Sequence, residues 1–229
     1  VRARQRGNTQ YEKMARREAY HMVREYTSRL LINVHDYHDC GLFLDHRKVR
    51  QKIHKMAQGK HFLNLFAYTG AASVHAALGG AQSVTTVDMS NAYLAWAQRN
   101  FAANDLSGEQ YHFVREDCLV WLANASVEQA AHYDVILLDP PTFSNSKRMS
   151  DTWDVQRDHE SLISQTMRCL SPGGTLIFSC NRQRFKLDDA LEKLYHCREI
   201  SKQTVPRDFS RHARIHRCWE IRHRTEDTP

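Results

Sequence analysis

The chain has 229 residues, with 32 Lys and Arg against 26 Asp and Glu, a formal net charge of +6 and 41% hydrophobic residues. A chain of this length buries roughly three-quarters of its unfolded surface, so a core needs neither disulfides nor a metal. No apolar run reaches the ~20 residues of a membrane span and no signal-peptide core follows the polar start VRARQRGNTQYEK, so a cytoplasmic protein without a membrane partner is expected.

The first residue is not Met, which reads as a piece of a longer chain. The six cysteines, at 40, 118, 169, 180, 197 and 218, form no CxxC pair and suit a reducing compartment. Among fourteen histidines, His35/His38 and His212/His216 have ligand-like spacing. No companion set of cysteines or carboxylates completes either, and no metal site is expected. Basic residues gather at the ends. Arg2, Arg4, Arg6, Lys13, Arg16 and Arg17 face only Glu12, and residues 207–224 hold six arginines against Asp208 and Glu220. Such stripes suit a polyanion, because neutralised phosphates release counterions; a solvated basic surface is the alternative.

In chain order, residues 1–58 read as a basic N-terminal extension of helix, β-hairpin and helix. The charged segment 1–30 is helix-like, residues 29–46 suggest two short strands around a polar turn, and HRKVRQKIHKMAQGK reads as a helix capped by Gly59. Residues 59–229 then alternate. HFLNLFAY, SVTTVDM, QYHFVRED, YDVILLD, GGTLIFSC and RCWEIRHR read as strands, and AASVHAAL, NAYLAWAQRNFAAN and CLVWLANA as helices. Apolar strand runs separated by helices imply a parallel sheet covered on both faces. The expected fold class is α/β, a doubly wound Rossmann-like sheet with a small N-terminal helical and β-hairpin extension.

Ligands of such sheets bind at the carboxyl ends of the strands. Four of these ends carry suggestive residues: the loop Asn64-Leu65-Phe66-Ala67-Tyr68-Thr69-Gly70, then Asp88, Asp117 and Asp139-Pro140-Pro141. Asp88 sits where a carboxylate accepts hydrogen bonds from a ribose, which nicotinamide enzymes and methyltransferases share. The first loop separates them. A pyrophosphate wants G-x-G-x-x-G, and YTGAAS has one glycine. S-adenosylmethionine (SAM) has ribose and adenine but no phosphate, and is the expected cofactor, with Asp117 receiving the adenine amino group. Two prolines cannot continue the strand DVILL, so Pro140-Pro141 forms a rigid turn. Asp139 would lie near the methyl donor or a target base and Phe143 could stack on that base. Solvated strand-end caps and a core aromatic are the plainer alternatives.

The segments GLFLDHR, NLFAYTG, TTVDMS, DPPTFSNSKRM, DVQRDH and IHRCW together resemble the C-terminal half of the bacterial bifunctional 23S rRNA guanine methyltransferases, the K/L family, over essentially the whole chain. That resemblance implies a class I SAM-dependent methyltransferase domain over 59–229 that methylates guanine N7 of 23S rRNA or of its assembly intermediate. An N-terminal methyltransferase half of the same chain would be its partner. It also implies cofactor contacts from Asn64, Phe66, Tyr68 and Gly70, with Asp88 and Met89 on the ribose, Asp117 and Cys118 on the adenine, and Asp139 at the donor end. Asp45 and Arg47 would close over the cofactor, Arg47 reaching the methionine carboxylate. Asp139, Pro141 and Phe143 are the expected catalytic residues.

Guanine N7 has an in-plane lone pair and no proton to lose, so attack on a sulfonium needs positioning rather than a base, and a carboxylate such as Asp139 could stabilise the moving charge. Cys180 in FSCNR replaces the asparagine usual in this family. A sister family of cytosine-C5 methyltransferases places its nucleophilic cysteine at the corresponding strand end, so cytosine C5 stays an alternative. A non-catalytic RNA-binding module is another. Lys147, Arg148, Arg182, Arg184 and Lys186 are candidates for phosphate contacts.

Overall fold

Runs such as YDVILL and SVTTVD bury both faces, and they become strands at the centre of one sheet. The computed structural model describes residues 19–37, 39–144, 153–212 and 214–224, with residues 126–128 described as backbone. The basic run 1–17, His38, Lys147 and Arg148 lie outside the described residues.

An antiparallel hairpin of β1 (His21–Glu25) and β2 (Ser28–Ile32) comes first. Then follow α1 (Arg47–Met56), β3 (His61–Leu65), α2 (Ala71–Leu78), β4 (Ser83–Asp88), α3 (Asn91–Ala102), β5 (Tyr111–Arg115), α4 (Cys118–Glu128) and β6 (Tyr133–Leu138). The short pair β7 (Phe143–Ser144) and β8 (Trp153–Asp154) precedes α5 (Val155–Cys169), β9 (Leu170–Cys180), α6 (Asp189–Leu194), β10 (Tyr195–Glu199), α7 (Ser201–Thr204) and β11 (Arg217–His223). Among the described residues the main sheet has seven strands in the order β10-β11-β9-β6-β3-β4-β5. The pairings β9-β6-β3-β4-β5 are parallel, and β11 alone runs against its neighbours. The chain leaves β3 toward β4 and β5, then crosses back to β6 on the other side, so the switch point lies between β3 and β6.

Alternation along each strand divides the core. Leu63, Leu65, Ile136, Leu138, Leu176 and Phe178 face Leu122, Leu162, Ile163 and Met167 of α4 and α5. Phe62, Val135, Leu137 and Ile177 face Val49, Ile53, Val74 and Phe101 of α1, α2 and α3. Successive strand side chains point to opposite faces, which gives the doubly wound α/β sheet expected.

Residues 21–30 belong to a hairpin where a helix was expected, and of the two strands read in 29–46 only β2, Ser28–Ile32, is present. A single 3-10 turn, Leu44–His46, stands where the second strand was read. The hairpin is held by α3 and the turn that follows it. Arg29 and Leu31 give their amides to Asn104 and Asn100 at 2.7 and 2.8 Å, and Trp96 Nε1 donates to the Leu31 carbonyl at 2.9 Å. Asn100 and Asn104 lie one turn apart, at the end of α3 and just beyond it, a spacing of about 6 Å that is close to the ~6.6 Å between alternate strand residues.

Candidate active site

Side chains at four parallel strand ends line one cleft of about 1030 Å³ beside the switch point. After β3 the chain turns with Phe66 at φ 55°, Tyr68 at φ 53° and Gly70 at φ 67°. Left-handed backbone at two aromatic residues is strained, and such strain gathers where a ligand must be met. Only glycine serves at position 70, because a Cβ there would stand 2.7 Å from that of Ala97. The loop is pinned on three sides. Ala67 donates to the Val87 carbonyl at 3.0 Å, Phe66 N–H to Cys118 Sγ at 3.1 Å, and Thr69 Oγ1 to the Gly41 carbonyl at 2.7 Å. Asn64, buried at the end of β3, braces the loop by donating to Ser73 Oγ at 2.9 Å.

Asp88 ends β4 and takes the amides of Tyr68 and Ser90, one on each oxygen, both at 2.8 Å. Each oxygen keeps a further lone pair for a hydroxyl. Burial pushes its carboxyl up to about 6, against those two backbone bonds. Met89 follows, partly exposed to the cleft. Asp117 caps α4 through the Leu119 amide at 2.9 Å, and Cys118 behind it is buried, its thiol pushed up by that burial.

Asp139, after β6, accepts from Ser179 Oγ at 2.6 Å. Pro140 and Pro141 carry the lining round to Phe143, which is 59% exposed, with the Arg182 guanidinium 5.5 Å from its ring.

Of the expected site residues, Asn64, Phe66, Tyr68, Asp88, Met89, Asp117, Cys118, Asp139, Pro141 and Phe143 line the cleft, while Asp45, Arg47 and Gly70 do not. Arg47 points away, its guanidinium paired with exposed Asp208, so it does not close over the cleft. Asp45 is buried against two histidines. His216 Nδ1 lies 3.0 Å and His46 Nδ1 3.1 Å from its Oδ2. Burial would raise the Asp45 carboxyl, but these two partners outweigh it and lower it. Asp45, His46 and His216 form one buried cluster, the two rings closing on the same carboxylate oxygen. Of the two histidines with ligand-like spacing near the end, His216 is buried and His212 exposed.

Arg50 and His46 are among the cleft residues that escaped sequence reading. Arg50, three positions beyond Arg47, is buried in the wall and bound to Glu25, and His46 stands next to Asp45. Both are reached by long-range packing, with only the helical spacing of Arg47 and Arg50 as a signal.

Ribosomal RNA large subunit methyltransferase K/L of Vibrio cholerae is 52% identical over 227 residues, covering 98% of this chain and 32% of the relative. The protein of the same name from a Shewanella species is 51% identical over 225 residues, covering 97% and 32%. The chain thus spans about a third of the length of the curated relatives it matches. The solved structure of SMU.776, complexed with SAH, superposes with a TM-score of 0.75 at 26% identity, over 90% of this chain and 57% of that one. The cleft fits a ligand with a ribose and no pyrophosphate, through paired lone pairs on Asp88 beside a loop with one glycine. A family model described as S-adenosylmethionine-dependent methyltransferase matches residues 2–205, and the chain belongs to that family, with SAM as its cofactor.

Proposed function

We propose that this chain methylates N7 of a guanine in 23S rRNA, or in an assembly intermediate of it, in the cytoplasm, as the C-terminal part of a longer chain whose N-terminal half is a second methyltransferase. The observation that carries the reading is the turn Asp139-Pro140-Pro141 at the floor of the cleft with Phe143 exposed at its rim, in a chain whose relatives are named for large-subunit rRNA. Among the described residues no helix is long and apolar enough to cross a membrane.

SAM, when bound, supplies an electrophilic methyl group on a sulfonium. Asp88 and Met89 hold the ribose, Asp117 and Cys118 border the adenine, and Asn64, Phe66, Tyr68 and Gly70 shape the loop around the methionine. Arg50, which lines the cleft where Arg47 does not, would meet the methionine carboxylate. The rigid diproline would keep the donor end narrow, Phe143 would stack on the target base, and Asp139 would stabilise the positive charge that methyl transfer brings to the purine. No residue has to remove a proton, because N7 offers a free lone pair. N7 lies in the deep groove of an A-form helix, so the target base must be unpaired or locally opened.

The cytosine-C5 alternative needs a thiolate. Cys180 is fully buried and burial pushes its thiol up to about 12, while its neighbour Asn181 lines the cleft. Both facts weigh against the thiolate route. The test is to incubate rRNA from cells lacking this methylation with the chain and methyl-labelled SAM, then identify the labelled nucleoside by mass spectrometry. N7-methylguanosine is expected. Label in 5-methylcytidine would refute the reading, and RNA binding without any label would favour the non-catalytic module.

A further inference from the structure

The scheme above leaves a buried titratable group in the cleft wall unused. His46 lies between two carboxylates, Asp45 on one side and Asp139 on the other. Its Nε2 is 3.2 Å from Ser179 Oγ and 3.6 Å from Asp139 Oδ2. Ser179 has one hydroxyl proton, which it gives to Asp139 Oδ1 at 2.6 Å. Nε2 must therefore carry a proton to donate to that hydroxyl oxygen. On the opposite side Nδ1 stands 3.1 Å from Asp45 Oδ2, though not aligned as a hydrogen bond. A lone pair there would face an anion, so a proton on Nδ1 is favoured as well. The ring packs on His216 with centroids 4.5 Å apart. His216 in turn binds Asp45 through Nδ1 and Thr204 through Nε2, both at 3.0 Å.

We propose that His46 is a positioning residue for methyl transfer, an imidazolium that ties Asp45 to Ser179 and Asp139 and so fixes the rotation of the Asp139 carboxylate at the floor of the cleft. The charged and titratable groups facing it are Asp45, Asp139, Arg50 and His216. Burial alone would lower the His46 pKa, and Arg50 acts in the same direction, but Asp139 and Asp45 outweigh them and raise it. A carboxylate free to rotate would present its charge to the donor end in several orientations. Misplacement on the order of 1 Å costs about a hundredfold in rate. The inference rests on methyl transfer taking place in this cleft, whichever base receives the methyl group.

The experiment has two arms. In the first, single-turnover methylation of unmethylated rRNA is followed against pH for the wild type, His46→Ala and His46→Gln. The wild-type rate should fall as pH rises through a value above the ordinary histidine range, because the imidazolium is lost there. His46→Ala should be slower by roughly tenfold to a hundredfold and lack that limb. His46→Gln, whose amide nitrogen overlays Nε2 and can donate to Ser179, should recover part of the rate without recovering the limb. A purely structural role predicts the same limb in all three, and that result would overturn the proposal.

The second arm needs no RNA. The His46 ring is titrated by nitrogen-detected NMR in the wild type and in Asp139→Asn. Its pKa should start above the ordinary range and drop in the variant, and an unchanged titration would also overturn the proposal. Label on a nucleoside other than guanosine, with the limb present in the wild type and lost in His46→Ala, would refute guanine N7 and support the role of His46.

Discussion

Arg50 grips Glu25 through two parallel hydrogen bonds, Nε to Oε1 at 2.6 Å and Nη2 to Oε2 at 2.7 Å, in the buried seam between the hairpin and α1. His75 of α2 closes on the same carboxylate, its Nε2 3.1 Å from Oε1. Removing one partner of a buried pair strands the other, which costs about 3–5 kcal/mol. Glu25→Ala is therefore expected to lose about that much stability in a urea titration, and to weaken SAM binding by freeing a residue of the cleft wall.

The same pair governs part of the acid response. Burial would raise the Glu25 carboxyl, but the bonds from Arg50 and His75 outweigh it and bring it from 4.5 down to about 2. A folded pKa below the unfolded one gives stability that is complete above about 4.5 and lost as pH falls toward 2. Thermal unfolding measured across that window should show a shallower acid limb in Glu25→Gln. Asp45, lowered by His216 and His46, keeps a part of the limb in place.

Asp88 has the opposite sign. Burial raises its carboxyl from 3.8 to about 6, so the unliganded fold loses that group's contribution as pH rises through this interval. The ionised form is the one that accepts ribose hydroxyls. Calorimetry should find SAM binding strongest above pH 6 and weakening below it. Asp88→Asn would aim an amide donor at the Tyr68 or Ser90 N–H, and should cost about 1.5–3 kcal/mol, roughly tenfold to a hundredfold in Kd, with the pH dependence flattened.

Phe143 offers an exposed ring backed by Arg182, and Arg182 is itself held by Asp154 at 2.6 Å. Phe143→Ala should lose about 1–3 kcal/mol of RNA binding while SAM affinity stays as in the wild type. Filter binding with rRNA, beside calorimetry with SAM, separates the two effects. If both fall together, the ring is a cofactor contact instead.

Cys180→Ala is expected to leave rRNA methylation unchanged, because the thiol is sealed in the core and held protonated by its burial. Loss of activity in a folded variant, shown by an unaltered SAM-induced thermal shift, would restore the thiolate route.

The central strands were legible because YDVILL is apolar on both faces and SVTTVD is rich in β-branched residues, and the strand-end acids because each follows a strand-forming run. The hairpin was not. HMVREYTSRL mixes charge and apolar residues at no clean period, and β2 takes its missing partners from Asn100 and Asn104, about seventy residues on. Edge strand β10, with the sequence YHCRE, has too little apolar character to stand out. The pairing of Asp45 with His216 spans 171 positions, and no local spacing encodes it. Arg47 illustrates the converse. Helical phase at the start of α1 turns it outward to Asp208 and turns Arg50 inward.

The antiparallel strand β11 carries a consequence for how the protein is made. It lies between β10 and β9, so a nascent chain can assemble β3 to β6 early but must wait for β11 to complete the sheet. His216 arrives with that strand, immediately before Arg217, and with it the neighbour that Asp45 and His46 require. A chain arrested during synthesis before residue 216 would already own every strand-end carboxylate and could begin to bind cofactor. It would lack the side chain that binds Asp45 beside His46, so, if His46 positions Asp139 as proposed, binding competence and transfer competence would be reached at different moments of translation.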